Sequence, residues 1–239
     1  MEVEELERMV REKEGSFSLA FPALMRKVYV WMTLALVLTG ITAYGVAHSP
    51  NLLAFIYGNR FVMWGLIIGE LALVFGVTAA INKLSLTSAT LLFILYSILN
   101  GATLSSIFIV YSPVIITKVF FITAGMFGAM AAIGYFTKTD LSSLGKVLFM
   151  ALIGIIIATL VNVFLVKSSG MDLIISYLGV VIFSGLTAWD SQKIKQMLIM
   201  CDDMSEGAQK MALMGALSLY LDFINLFLYL LRIFGRGNN

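Results

Sequence analysis

Histidine and cysteine are nearly missing from this 239-residue chain, each occurring once, as His48 and Cys201. A lone histidine excludes Ser-His-Asp triads, haem-type ligation and zincin motifs. A lone cysteine excludes any disulfide within the chain and any C-x-x-C or Cys/His zinc spacing, so Cys201 reads as a free thiol, buried or facing the cytosol. Only three prolines occur, in the amino-terminal arm or at breaks between apolar runs, and no membrane helix is expected to need a proline kink. Charge is thin as well, at 13% of residues against 60% hydrophobic ones, with a mean hydropathy of +0.95. No soluble domain stays in solution with that balance, so the chain reads as an integral membrane protein. It has no basic stripe of the kind that binds nucleic acid.

What is present is long and apolar. A helix needs about 20 apolar residues to cross the hydrocarbon, and seven stretches qualify: residues 27–47, 61–81, 86–110, 114–136, 146–166, 173–198 and 210–234. Short polar connectors such as HSPN, YSPV, TKTDLSS and KSSGMD separate them. The opening MEVEELERMVREKEG mixes charges and is net acidic, unlike a secretory signal. The expected organisation is therefore a cytosolic amphipathic arm over residues 1–26, then an all-α, seven-helix transmembrane domain over 27–239. No large soluble domain and no clear repeat accompany it.

Lys and Arg on alternate sides of seven spans number eleven with the amino terminus and five opposite. Basic residues favour the cytosolic side, which puts the amino terminus inside and the carboxyl terminus outside. A six-span form with a re-entrant last segment, both ends inside, stays open because Arg232 and Arg236 are basic.

The last stretch carries an acid, Asp222, at its middle. A charged side chain near a bilayer centre costs about 3 kcal/mol or more unless compensated. At 100° per residue, Ser218, Asn225, Tyr229 and Arg232 fall within about 80° of Asp222, forming one polar stripe. Such a stripe belongs inside a bundle, which predicts that this helix sits at the centre, enclosed by the other six.

Asp190 lies in the preceding stretch at a depth within about one helical turn of Asp222. Two carboxyls in contact cannot both ionise cheaply, so they share a proton and titrate as a unit. When both ionise they part and leave an oxygen-lined site suited to a divalent cation such as Ca2+. The plainer alternative satisfies each acid locally, Asp190 by Lys193 and Asp222 by Asn225, a tyrosine or a backbone group. Glu70 is a third intramembrane acid. Arg232 is a candidate partner for it, with snorkelling toward the interface the equal alternative. Asn100 and Asn162 read as glue between helices.

The segments NGATLSSIF (100–108), SGLTAWDSQKIK (184–195) and ALSLYLDFINLFLYLLRIFG (216–235) resemble the signature of the Bax inhibitor-1 family, the transmembrane Bax-inhibitor-motif proteins, in a bacterial-type form. The resemblance takes in nearly the whole chain. It implies a seven-helix bundle whose last helix is enclosed by the other six, and a pH-sensitive calcium leak with Asp190 and Asp222 as the sensing pair. Glu70 matches the family's membrane glutamate, and Arg232 the arginine ten residues past the second aspartate. Two features depart from the pattern. Some members carry a basic run at the cytosolic end of the second helix, one residue of which contacts the aspartates; here the segment is TAAINKLS, with Lys83 alone, and Arg60 stands at the opposite rim. The connector CDDMSEGAQK between the two aspartates is also long, and its Asp202, Asp203 and Glu206 either gather cations or form a solvated loop.

Three other readings compete with the leak. An intramembrane aspartyl protease needs Tyr-Asp and Gly-x-Gly-Asp pairings that the contexts of Asp190 and Asp222 lack, so no enzyme is expected. A proton-coupled transporter would use the same carboxyl pair, but no mid-membrane helix break or inverted repeat is visible. A non-conducting regulator would bind other membrane proteins through a purely structural polar stripe. The expected partners are the lipid bilayer, protons and Ca2+ as the permeant ion, with no cofactor, in a bacterial cell membrane.

Overall fold

A computed structural model describes residues 3–235, with side chains from residue 20 onward. The charged side chains of residues 1–19 and Arg236 lie outside that range. Described residues form helices α1 (Val3–Ala47), α2 (Pro50–Tyr57), α3 (Arg60–Ala80), α4 (Leu86–Leu104), α5 (Ile107–Val110), α6 (Pro113–Phe136), α7 (Ser142–Val161), α8 (Ser169–Leu198) and α9 (Glu206–Gly235), with a π-helical turn, Asn162–Val166, ending α7. No strand occurs among them. Seven segments are long and apolar enough to cross a membrane: Ala20–Ala47, Arg60–Ala80, Leu86–Val110, Pro113–Phe136, Ser142–Val166, Ser169–Leu198 and Glu206–Gly235. The last is one continuous helix of 30 residues, without the turn a re-entrant segment needs.

The connectors stop and start these helices through their side chains. Asn59 accepts from the Phe61 amide (2.9 Å), Ser85 from Ser88 (3.2 Å) and Ser112 from Ile115 (3.4 Å), each satisfying an amide that the first helical turn leaves without an intrahelical partner. Pro113 follows such a cap at the first helical position, and Pro50 opens α2 after Ser49, which makes no side-chain cap bond. Pro22 departs from expectation. It lies inside α1 and inside the apolar segment that begins at Ala20, because Leu19-Ala20-Phe21 and Ala23-Leu24-Met25 extend the first span toward the amino end. α1 runs without a break across residues 26 and 27, where the arm was expected to end.

Two compact units make up the chain. The first comprises α1 to α4 through Ser106, with Ile194–Leu217 from the end of α8 and the start of α9. Within it α1 packs along α4, and the approach is tight at Gly101, where an added Cβ would stand 2.6 Å from the Thr39 carbonyl oxygen. The start of α9 is tied down here. Lys27 Nζ donates to Gln209 Oε1, Lys210 Nζ donates to the Leu84 carbonyl (3.0 Å), and Glu206 Oε1 accepts from the Leu86 amide (2.8 Å).

The second unit comprises Ile107–Lys193 and the chain from Ser218 on. Here α6 and α8 touch backbone to backbone at Gly134 and Ala188, and Ser191 Oγ donates to the Ala131 carbonyl (2.9 Å). Phe223 packs edge-on against Phe120 and Phe127, each with 5.5 Å between ring centroids, fixing α9 on α6.

Candidate functional site

The residues around Asp190 are all committed to packing. Ala188 abuts Gly134, the Trp189 ring lies against Gly145 of α7, and Ser191 is bonded to α6. Gln192 accepts from the Leu141 amide (2.8 Å) and donates to the Thr139 carbonyl (2.8 Å), stitching the α6–α7 connector to α8. Lys193, one turn past Trp189, holds its ammonium 5.0 Å from the indole centroid. These contacts fix the backbone of α8 on either side of Asp190 against α6 and α7.

The α8–α9 contact sets the level of the second acid. Tyr229 of α9 packs against Gly179 and stacks with Phe183 of α8, 5.8 Å between ring centroids. The helices run antiparallel, and seven residues along α8 from Phe183 is Asp190, while seven back along α9 from Tyr229 is Asp222. Each step is two turns, about 10.5 Å, so the acids stand at one level. Asp222 is only 5% exposed, and its Oδ2 has no hydrogen-bond partner among the described residues. A buried polar atom left in that condition is uncommon, which singles this oxygen out.

Other residues expected to support the site have found separate partners. Asn225 donates to the Leu221 carbonyl of its own helix (2.8 Å), and Ser218 is half-buried. Arg232 lies over the Tyr229 ring, 5.3 Å from its centroid. In the first unit, Glu70 accepts from Asn100 Nδ2 (3.2 Å) and from Thr103 Oγ1, so this membrane acid has an amide and a hydroxyl donor on α4. Asn100 thereby joins α3 to α4 as expected. Asn162 does otherwise: it closes the α7–α8 connector, donating to the Ser168 carbonyl (3.1 Å) and accepting from the Ser168 amide (3.0 Å). Lys83 is exposed in the turn after α3.

Sequence reasoning passed over Tyr57. Its hydroxyl donates to the Thr103 carbonyl (2.9 Å), lies 3.0 Å from Ser105 Oγ and accepts from the Ser106 amide (2.9 Å). It thus fills the break between α4 and α5, which the sequence read as one uninterrupted span. The available signal was Ser49-Pro50, a helix start that predicts α2 and places a tyrosine at its end.

No group of three or more His, Cys, Asp or Glu side chains gathers to hold a metal among the described residues. In the acidic connector, Asp203 accepts from the Ser205 amide (2.9 Å) and Glu206 caps α4 while pairing with Lys210 at 3.9 Å. Those two carboxylates are engaged in shaping the loop. The Asp203 carboxyl is held below its ordinary pKa by the Ser205 amide and hydroxyl.

Comparison with known proteins agrees with these features. The model of the family described as "Inhibitor of apoptosis-promoting Bax1" matches residues 22–239. Inner membrane protein YbhL of Escherichia coli strain K12 is 52% identical over 212 residues, 88% of this chain and 90% of that protein. A Borreliella burgdorferi protein is 46% identical over 215 residues, 90% of this chain and 92% of its own length. A membrane protein of Streptococcus pyogenes serotype M1 is 39% identical over 214 residues, covering 89% and 92%. A match across nearly all of seven membrane-length helices, with the two-acid segments inside it, makes this chain a member of the Bax inhibitor-1 family of membrane proteins.

Proposed function

We propose that the protein is a pH-sensitive calcium leak of a bacterial cell membrane, switched by one proton shared between Asp190 and Asp222. The observation that carries this reading is the Asp222 carboxyl, buried on a level with Asp190 and with one oxygen lacking a hydrogen-bond donor. A bare carboxylate there is costly, and a proton or a cation relieves the cost. With the proton in place the two helices stay together. When it leaves, repulsion parts the carboxyls and presents up to four oxygens to Ca2+, which completes its usual six to eight ligands from water and backbone carbonyls. Protons and Ca2+ compete for the same oxygens, so acid lowers cation occupancy.

The expected orientation has the amino terminus in the cytosol, following the excess of Lys and Arg there. We place α9 at the centre of the bundle. Most of its apolar length is buried, Leu219, Tyr220 and Leu226 wholly so, whereas α3 buries only Val77, which fits a helix enclosed by the others. Polar residues Asn225, Tyr229 and Arg232 then continue from Asp222 toward the carboxyl end as the wall of the ion path.

Calcium flux into dye-loaded liposomes across a pH series tests the proposal. Wild-type protein is expected to give flux that changes with pH, and Asp190→Asn or Asp222→Asn to flatten that change. Full retention of the pH dependence in both variants would overturn the assignment. Liposomes that pass no calcium at any pH would point instead to a non-conducting regulator.

A further inference from the structure

The first unit carries a cleft on its outer side, beside the crossing of α1 and α4. The helices meet at Thr39, whose hydroxyl donates to the Ser97 carbonyl (3.0 Å), and at Gly101. Next to that contact they leave a space of about 300 Å³, lined by Trp31, Leu34, Leu38 and Ile41 of α1 and by Phe93 and Ser97 of α4. The lining is almost wholly hydrocarbon, and the Ser97 hydroxyl is already spent on the Phe93 carbonyl (2.9 Å). Leu34 and Ile41 are 56% and 65% exposed on a segment long and apolar enough to span the bilayer. An open apolar cleft at that depth is filled by something equally apolar. A helix about 10 Å across is too wide for the space, whereas one extended alkyl chain fits.

One end of the cleft is charged. Lys27, Trp31, Leu34, Leu38 and Ile41 recur at helical spacing and share one stripe of α1, with Lys27 one turn before Trp31. Arg26 beside it is exposed. A tryptophan between a basic pair and an apolar channel matches the order of a membrane's own layers, headgroup first and tail after. Ordinary burial does not favour an acyl chain here over the surrounding lipid, since the tails are as apolar as the leucines. The charge at the end of the cleft is what can select one lipid over another.

We propose that this cleft binds one acyl chain of a glycerophospholipid whose anionic headgroup lies at Lys27 and Arg26. The full-length protein, purified in detergent and titrated with phosphatidylglycerol or phosphatidylcholine, gives the first test, with bound lipid counted by native mass spectrometry. One phosphatidylglycerol is expected to be retained at a concentration at least about fivefold below that for phosphatidylcholine, and Arg26→Gln and Lys27→Gln each to weaken it by about fivefold. Arg26 is exposed, so its replacement leaves the fold undisturbed. In vesicles, brominated-chain phosphatidylglycerol is expected to quench the share of fluorescence that Trp31→Phe removes more strongly than brominated phosphatidylcholine does. Equal retention of the two lipids, or equal quenching, would mean only the unselective lipid around any membrane helix, and would overturn the proposal. So would a Trp31 shielded from both lipids in a dimer, with a second copy against the cleft.

Discussion

The Ala188 carbonyl oxygen of α8 occupies the place a side chain would need on Gly134 of α6. This contact lies two residues before Asp190 and, with the Ser191 bond to Ala131, fixes the height of that acid against α6. Gly134→Ala must push the two backbones apart. Overpacking of this kind costs about 1–3 kcal/mol, or roughly 2–12 °C in the melting midpoint of a domain this size. Gly125, where an added Cβ meets nothing within 4 Å, is the control, and Gly125→Ala is expected not to lower the midpoint in detergent.

Tyr57→Phe removes a hydroxyl that serves the Thr103 carbonyl and the Ser106 amide at once. In a chain whose interior offers little water, those groups lose their partner outright, at about 1–3 kcal/mol. A lowered thermal midpoint with no loss of helix by circular dichroism is the expected outcome.

Cys201 is buried, and burial first, then the negative charges of Asp203 and Asp202, push its thiol above the ordinary cysteine range. A raised pKa leaves less thiolate at any given pH, so alkylation by iodoacetamide is expected to be slow at neutral pH and to rise on the alkaline side. Replacing Asp202 and Asp203 by Asn lowers the thiol part of the way, since burial remains, and speeds alkylation at fixed pH. Rates that ignore the double replacement would show that the two charges do not act on the sulfur.

Lys167 is the one non-glycine residue with positive φ among those described, at φ 52° and ψ 34°. It ends the π-helical turn after α7, a place where glycine or asparagine is usual. Lys167→Gly is expected to raise stability by about 0.5–1 kcal/mol, read as a higher melting midpoint.

The spans were legible because hydropathy and length decide them, and helix ends fell within a few residues of expectation except at α1, where Pro22 had hidden the apolar residues on either side of it. The break after Leu104 was not legible. Ala102-Thr103-Leu104-Ser105-Ser106 contains no residue that forbids a helix; the interruption is stabilised from outside, by a tyrosine 48 residues earlier in the chain. Glu70 shows the same limit. Its depth and cost could be read from the sequence, but its donors on α4 depend on how α3 and α4 pack. The depths of Asp190 and Asp222 could be compared to within a turn, since both positions count from the one connector between their helices. That Asn225 would turn to its own backbone was not, because Asp222 and Leu221 offer it acceptors on the same helix.

Lys27 and Gln209 stand 182 residues apart in the chain and touch in the fold. During translation the first span is made early, yet the partners of Lys27, of the Leu84 carbonyl and of the Leu86 amide leave the ribosome only with the start of α9. The rim of the first unit that carries Lys27 is therefore finished last. A premature stop before residue 206 strips that rim of its fastenings as well as deleting Asp222, and hands cellular quality control an open, half-tied intermediate.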